Sequence, residues 1–461
     1  MTHPTLTSYD QALEYLYSLR TFGVKPGIEA MRALLDALGS PDTRGDYLHI
    51  AGTNGKGSTA AFLARMLDEA GLRVGLFTSP HLVDFSERIS VNGCCISHED
   101  VLTHLSAILR VVPRDAEPHP TFFEIVTAIA ALHFAAQGVD ADVWETGLGG
   151  RLDATNAVNT AAAIITSIGL EHTAWLGDTI EQIAAEKAGI VKPRTPVFTA
   201  VTDPAALRVI SDAARDRKAP LTLVCSRTAP ANAATTTCTY DAATRGGARY
   251  TLTMEHPRIV DAGIALRGKH QAPNAALAAA VADWYLTTRH RFDPEAARAA
   301  IINGLERACW PGRFQVLQEH PLIVLDCAHN PQAMRALAAT LAEFSGAKWT
   351  LLFGVLADKD WRQMLKTIAP LCAELWYVKP ATERGLDPHR FAEHLAQSPA
   401  PLAPARSFDG IAPALAAIAA TDDPARQFVI TGSCYLVGDT LAAWSGASRD
   451  TRTDDPLRPM P

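Results

Sequence analysis

The stretch 48–67, LHIAGTNGKGSTAAFLARML, limits the fold more than any other. It runs from an apolar strand-like start through a glycine-rich turn into a helix-like finish, the order of parts in a phosphate-binding loop. Gly52, Gly55 and Gly57 let backbone N–H groups turn toward one point and leave room for phosphate oxygens. Lys56 adds a point charge, and the Ser58 hydroxyl is of the kind that ligates magnesium. The general pattern puts lysine directly before the hydroxyl residue, whereas here Gly57 stands between Lys56 and Ser58. A turn that is glycine-rich for geometry alone is the competing explanation. The strand before it and the helix after it argue against that.

The same alternation continues along the chain. Helical periods cover 9–19, 27–38, 58–70, 100–112, 122–136, 272–286 and 331–343. Strand-length apolar runs fall at 47–51, 73–77, 88–91, 141–145, 162–167, 322–326, 349–353, 374–378 and 427–431. Such alternation predicts a mostly parallel sheet covered on both faces, with ligand chemistry beyond the carboxyl ends of the strands. Residues 221–266, where short β-type runs sit between Ala/Thr/Gly-rich turns, predict a small antiparallel element. Trp310, Pro311 and Gly312 interrupt the pattern before a second α/β series. The expected fold is α/β: a P-loop domain over 1–308 carrying the small β element, then a second Rossmann-like α/β domain over 309–445. Residues 446–461, charged and without periodicity, are expected to be a disordered tail.

Bulk properties exclude several function classes. A chain of 461 residues, 48% hydrophobic and 20% charged, reads as globular. Its formal charge of −7 gives no overall attraction to nucleic acid or to an anionic membrane. The eight cysteines form no C-x-x-C pair, as expected for free thiols in a reducing, cytoplasmic setting. The N-terminal residues lack a secretory pattern, and no uninterrupted apolar run reaches the roughly 18 residues of a membrane span.

Six further stretches hold residues capable of chemistry. TSPHLVDFSERISVNG (78–93) is a long polar segment after a strand. DVWETGLGGRLDATN brings Glu145 to a strand end before three glycines, which suits a hard divalent cation. GLEHTAWLG follows the next strand and carries His172; a lone histidine there is more often a surface or core residue. Lys187 lies in IAAEKAGIV, where it either sends its amine to the surface or, if buried, has a lowered pKa. In the second half, Arg313 in WPGRFQ can grip a carboxylate or phosphate at two points, and LDCAHNPQ brings Asp326, His329 and Asn330 after a strand.

Taken together, GTNGKGST, TSPHL with SERISVNG, ETGLGGRLDATN, EHTAWLG with EKAGI, HQAPNAA, PGRFQ and DCAHNP resemble, in order, the Mur ligase superfamily and within it the folylpolyglutamate synthase/dihydrofolate synthase family. GSCYLVGD (432–439) departs from the family by having Cys434 where a larger apolar residue is expected. The resemblance implies an ATP-dependent ligase that adds L-glutamate to 7,8-dihydropteroate and to the γ-carboxyl of tetrahydrofolates through an acyl phosphate. A folylpolyglutamate synthase with that one activity is the alternative. It further implies that Gly52, Thr53, Asn54, Gly55, Lys56, Gly57 and Ser58 hold ATP phosphates, with Asn274, Arg313 and Asp326 also binding ATP and His329 close by. Ser58, Ser79, Glu145 and His172 would form two Mg²⁺ sites, and a carbamylated Lys187 would organise the second. The pterin-bearing substrate would lie near Val24, Lys25, Pro26, Thr121, Phe122, Phe123, Glu124, Leu152, Asp153 and Ala154, with Phe123 a flat partner for the ring.

Rival functions fit less well. Muramyl ligases carry a nucleotide-sugar domain before their phosphate loop, and residues 1–51 are too few for one beside two helices. A guanine-reading N-K-x-D element is missing; ADKD at 357–360 lacks the Asn. A decayed ATPase relative would not be expected to keep Glu145, His172 and Lys187 together. Small-molecule substrates are the expected partners, and nothing demands more than a monomer.

Overall fold

The structure is a computed structural model, and it describes residues 6–19, 27–113, 119–226, 236–243, 249–253, 259–397, 405–447 and 449. Two sheets organise it. Among the described residues the first has eleven strands, drawn from 46–263, and the second has six, drawn from 315–431. Strand Asp46–Ala51 sits near the middle of the large sheet, parallel to Ala141–Glu145 on one side and Thr160–Ile165 on the other. Both of its faces are covered, so from Tyr47 onward it reads as apolar rather than alternating, apart from His49, which is fully buried and bonds Thr155.

Helix Lys56–Glu69 leaves the carboxyl end of that strand after a single tight turn. Phe62, Leu63 and Met66 bury its inner face in a core shared with helices Gln271–Asp283 and Pro294–Arg307. Gly57 lies at its second position because Trp310 packs there: a Cβ on Gly57 would come within 2.8 Å of the indole Nε1. The glycine between Lys56 and Ser58 therefore has a steric cause 253 residues away in sequence, the W of WPGRF.

The region 221–266 is only in part the expected small antiparallel element. Leu221–Ser226 joins the large sheet in parallel with Val197–Thr199 and with Thr236–Ala243. Within this region Thr236–Ala243, Arg249–Thr253 and Ile259–Gly263 pair antiparallel with one another, and they extend the edge of the same sheet. The short strands Val197–Thr199, Gln315–Glu319 and Ala405–Phe408 carry too few apolar residues to stand out in sequence. The helix expected to run to 286 ends at Asp283 and continues as a wider turn over Trp284–Arg289.

In the second sheet, Leu322–Asp326, Gln427–Thr431, Trp349–Phe353, Cys372–Val378 and Ala405–Phe408 are parallel, with Gln315–Glu319 antiparallel at one edge. Asp326 and Thr431 end adjacent strands beside the first lobe. Arg449, in the segment expected to be a tail, donates from Nε to the Leu82 carbonyl (2.8 Å) and pairs with Asp439 (2.5 Å). The remainder of that segment, apart from 446 and 447, lies outside the described residues.

Candidate active site

A cavity of about 490 Å³ opens where the strand ends of the two lobes face each other. Thr53, Asn54, Gly55, Lys56, Gly57 and Ser58 form one end, joined by Ser79, Glu145, His172, Arg313 and His329. Thr121, Phe122, Phe123, Glu124, Leu152, Asp153 and Ala154 line the other. Gly52, Lys187, Asn274 and Asp326 lie behind the wall, and Val24, Lys25 and Pro26 fall outside the described residues. A second cavity of about 380 Å³ adjoins the first and shares Gly57, Ser79, Glu145, Arg313 and Cys434 with it.

The glycine loop is held from behind. Thr166 and Ser167 donate their hydroxyls to the Asn54 carbonyl at 2.8 and 2.9 Å, and the Asn54 amide donates to Ser167 Oγ at 3.0 Å. Gly55 has φ +89° and faces Asn274, whose Oδ1 would lie 2.3 Å from an added Cβ. Asn274 thus touches the loop without reaching the cavity.

Two lysines meet at one backbone oxygen. Lys187 Nζ donates to the Gly52 carbonyl at 2.8 Å and Lys56 Nζ to the same oxygen at 3.1 Å. Lys56 also lies 3.9 Å from Glu145. Burial, helped by the charge of Lys56, lowers the Lys187 amine to about 7. Burial raises the Glu145 carboxyl, against the opposing pull of Lys56 and the Ser79 N–H. A buried carboxylate, two serine hydroxyls and a histidine on the lining of one cavity are donor types that match a hard divalent cation. Burial also lowers His172 to about 4, leaving the imidazole neutral and available as a ligand. His172 holds a left-handed backbone, φ 50°, before helix Thr173–Leu176.

Glu171, beside it, is the residue that sequence reasoning passed over. Its Oε1 accepts from His329 Nε2 and from Asn330 Nδ2, both at 3.3 Å, and lies 3.7 Å from Lys359. All three partners belong to the second lobe. Burial would raise the Glu171 carboxyl, but the hydrogen bond and charge of His329, with Lys359, hold it well below the usual range. Burial opposes protonation of His329 in turn, yet Cys434 and Glu171 raise it to about 9. A hydrogen bond from the Cys327 thiol, with His329 beside it, keeps Cys434 well below the usual thiol range and pushes Cys327 well above it. EHTAWLG places Glu171 one residue ahead of the histidine, but nothing in that motif points to its partners in the second lobe. Lys359 and Arg384, also on the cavity wall, stand in no recognisable motif.

At the far end, acidic side chains act as braces. Thr121 and Glu124 form a reciprocal cap on helix Phe122–Gln137, Thr121 N donating to Glu124 Oε2 at 2.7 Å. Asp153 accepts from the Leu148 and Thr155 amides at 2.8 and 3.0 Å. The Phe123 ring lies over Gly147, where a Cβ would come within 2.6 Å of it. Asp326 accepts from the Phe314 and Ala328 amides and so shapes the turn that presents Arg313.

This arrangement matches known proteins in both sequence and shape. The Mur ligase middle domain matches residues 50–282, and the Mur ligase glutamate ligase domain matches 312–434. The Bacillus subtilis protein named dihydrofolate synthase/folylpolyglutamate synthase is 40% identical over 379 residues, 81% of this chain and 85% of that one. The chain belongs to the Mur ligase family, in its folylpolyglutamate synthase branch. A Halobacterium salinarum protein named a probable bifunctional folylpolyglutamate synthase/dihydropteroate synthase is 38% identical over 97% of this chain, which spans only 53% of that protein. The solved structure of E. coli FolC with DHPP and ADP superposes with a TM-score of 0.82 at 28% identity, covering 96% of this chain and 99% of that one. Like other Mur ligases, the chain is an ATP-dependent ligase. Among the described residues no helix is long and apolar enough to cross a membrane.

Proposed function

We propose that this chain joins L-glutamate to 7,8-dihydropteroate and, in a second use of the same site, to the γ-carboxyl of tetrahydrofolates. The observation that carries the reading is one cavity lined both by a phosphate-type loop and by Phe123, whose ring packs over Gly147. A nucleotide and a flat acceptor then meet near Glu145 and His172.

In this reading the acceptor carboxylate attacks the γ-phosphoryl group of ATP, forming an acyl phosphate and ADP. The glutamate amine then adds to that carbonyl, and phosphate leaves the tetrahedral intermediate. Lys56 swings from the Gly52 carbonyl onto the phosphates, and loop N–H groups fix them in line. Ser58, Ser79, Glu145 and His172 would hold two magnesium ions, which when bound offset charge on the transferring phosphoryl group. Lys187, near neutrality in its pKa, carries enough unprotonated amine to take up CO₂, and the carbamate would turn a buried cation into an anion on the metal side. Arg313 and His329, brought in by the second lobe, close over the acyl phosphate and exclude water. The protein acts as a monomer in this scheme.

Incorporation of radiolabelled glutamate, measured separately with dihydropteroate and with tetrahydrofolate, tests it. Incorporation with both supports the full reading, and with tetrahydrofolate alone it supports a folylpolyglutamate synthase of single activity. Incorporation with neither acceptor sinks the proposal.

A further inference from the structure

Away from the cavity, helices His98–Val111 and Phe122–Gln137 pack against each other and bring three metal-binding side chains together. Asp100 and His104 are one turn apart on the first helix, and His133 faces them from the second. One donor atom from each lies within 4.8 Å of the others. The two imidazole rings stand edge to face at 5.6 Å. His104 Nε2 and His133 Nδ1 are both shut off from solvent and have no hydrogen-bond partner. His133 is itself only 4% exposed.

Two buried, unpartnered ring nitrogens from different helices are unfavourable in an otherwise apolar interface. The two helices contribute Val101, Leu105, Ile129 and Phe134 to one buried hydrophobic core. A hydrogen bond between the rings would have satisfied a nitrogen on each; in the edge-to-face geometry neither of these two nitrogens has one. Burial lowers the pKa of both histidines, so both are neutral near pH 7, the form that ligates metal. Asp100 has one oxygen engaged by the Ser97 hydroxyl at 2.8 Å, the kind of outer hydrogen bond that orients a ligating carboxylate.

We propose that Asp100, His104 and His133 form a site for one divalent transition-metal ion of the zinc class. Two imidazoles and one carboxylate suit zinc rather than magnesium, which prefers six oxygens, and three protein donors leave a fourth position for water. His133 lies three turns beyond Phe122, roughly 16 Å along the axis at 1.5 Å per residue. The ion therefore clamps the helix whose first turn forms the aromatic end of the cavity, and it takes no part in phosphoryl transfer.

The test is zinc content and stability. Protein stripped with a chelator is dialysed against Zn²⁺ with excess Mg²⁺, and bound zinc is measured by atomic emission. Wild type is expected to retain about one equivalent and to melt at higher temperature with zinc than without. His104→Gln and His133→Gln should lose that equivalent and the zinc-dependent rise, while melting normally without zinc. Asp100→Asn, at a half-exposed position, should weaken zinc binding at least about tenfold and covers the case in which a glutamine variant fails to fold. His172→Ala should keep the zinc. No zinc on wild type, full retention in both histidine variants, or loss in His172→Ala instead would each overturn the proposal.

Discussion

The two ends of the cavity are built on opposite plans. Around the glycine loop, buried polar groups face one another: two lysines share the Gly52 carbonyl, Lys56 approaches Glu145, and Glu171 gathers three partners from the second lobe. Around Phe122 and Phe123 the wall is largely apolar, and its acidic residues, Glu124 and Asp153, are turned inward to hold the backbone. One end fixes charge in advance of the reaction, and the other offers shape. Interactions prepaid in position act on the transition state, whereas a flat apolar wall holds substrate and transition state about equally. Substitutions at the two ends should therefore separate kcat from KM.

The largest effect is expected for Lys56→Ala. It should lower kcat by about a thousandfold or more, as removal of other phosphoryl-binding cations does, with an unchanged circular-dichroism spectrum. Lys187→Met should cost about a hundredfold in turnover. If carbamylation is the reason, wild-type activity should fall on CO₂ depletion and return with bicarbonate, and equal activity in both conditions would remove the carbamate from the scheme. The same variant has a stability signature. With its pKa lowered to about 7 in the fold, Lys187 makes the unfolded chain bind more protons between about pH 7 and its ordinary 10.5. Stability should rise with pH across that window in wild type, and Lys187→Met should flatten the slope in denaturant titrations.

Glu171→Gln should be milder, about thirtyfold in kcat/KM, the lower range for losing one charge of a desolvated pair. Its contribution through His329 is fully present below about pH 6.5 and is lost as the pH rises through about 9, so the gap between wild type and variant should narrow in alkaline buffer. Phe123→Ala, at the apolar end, should raise KM for the pterin-bearing acceptor up to about tenfold and leave KM for ATP unchanged. A fall in kcat with unaltered acceptor KM would erase the contrast between the two ends.

Much of this was legible in the residues, for reasons that differ by element. Strand Asp46–Ala51 and its helix announce themselves because burial on both faces demands a largely apolar run, here interrupted by His49, followed by a periodic one. Strand Val197–Thr199 has three residues, too short for any period, and is a strand because it has neighbours to pair with. Within the site, glycine, lysine and histidine in a short motif imply chemistry by type and spacing. Glu171 does not, because its role comes from residues more than 150 positions later that fold back onto it. Gly57 lies between these cases. Its presence is plain in the sequence, while its cause, the Trp310 ring, is visible only once the lobes are assembled.

The shared carbonyl of Gly52 has one more implication. If Lys56 leaves to follow a phosphate, the oxygen it abandons keeps a donor in Lys187, already in place at 2.8 Å. The loop can lend one of its lysines to the nucleotide without losing its own shape. It works as a relay with a standing deputy, ready for the next turnover before the first lysine has come home.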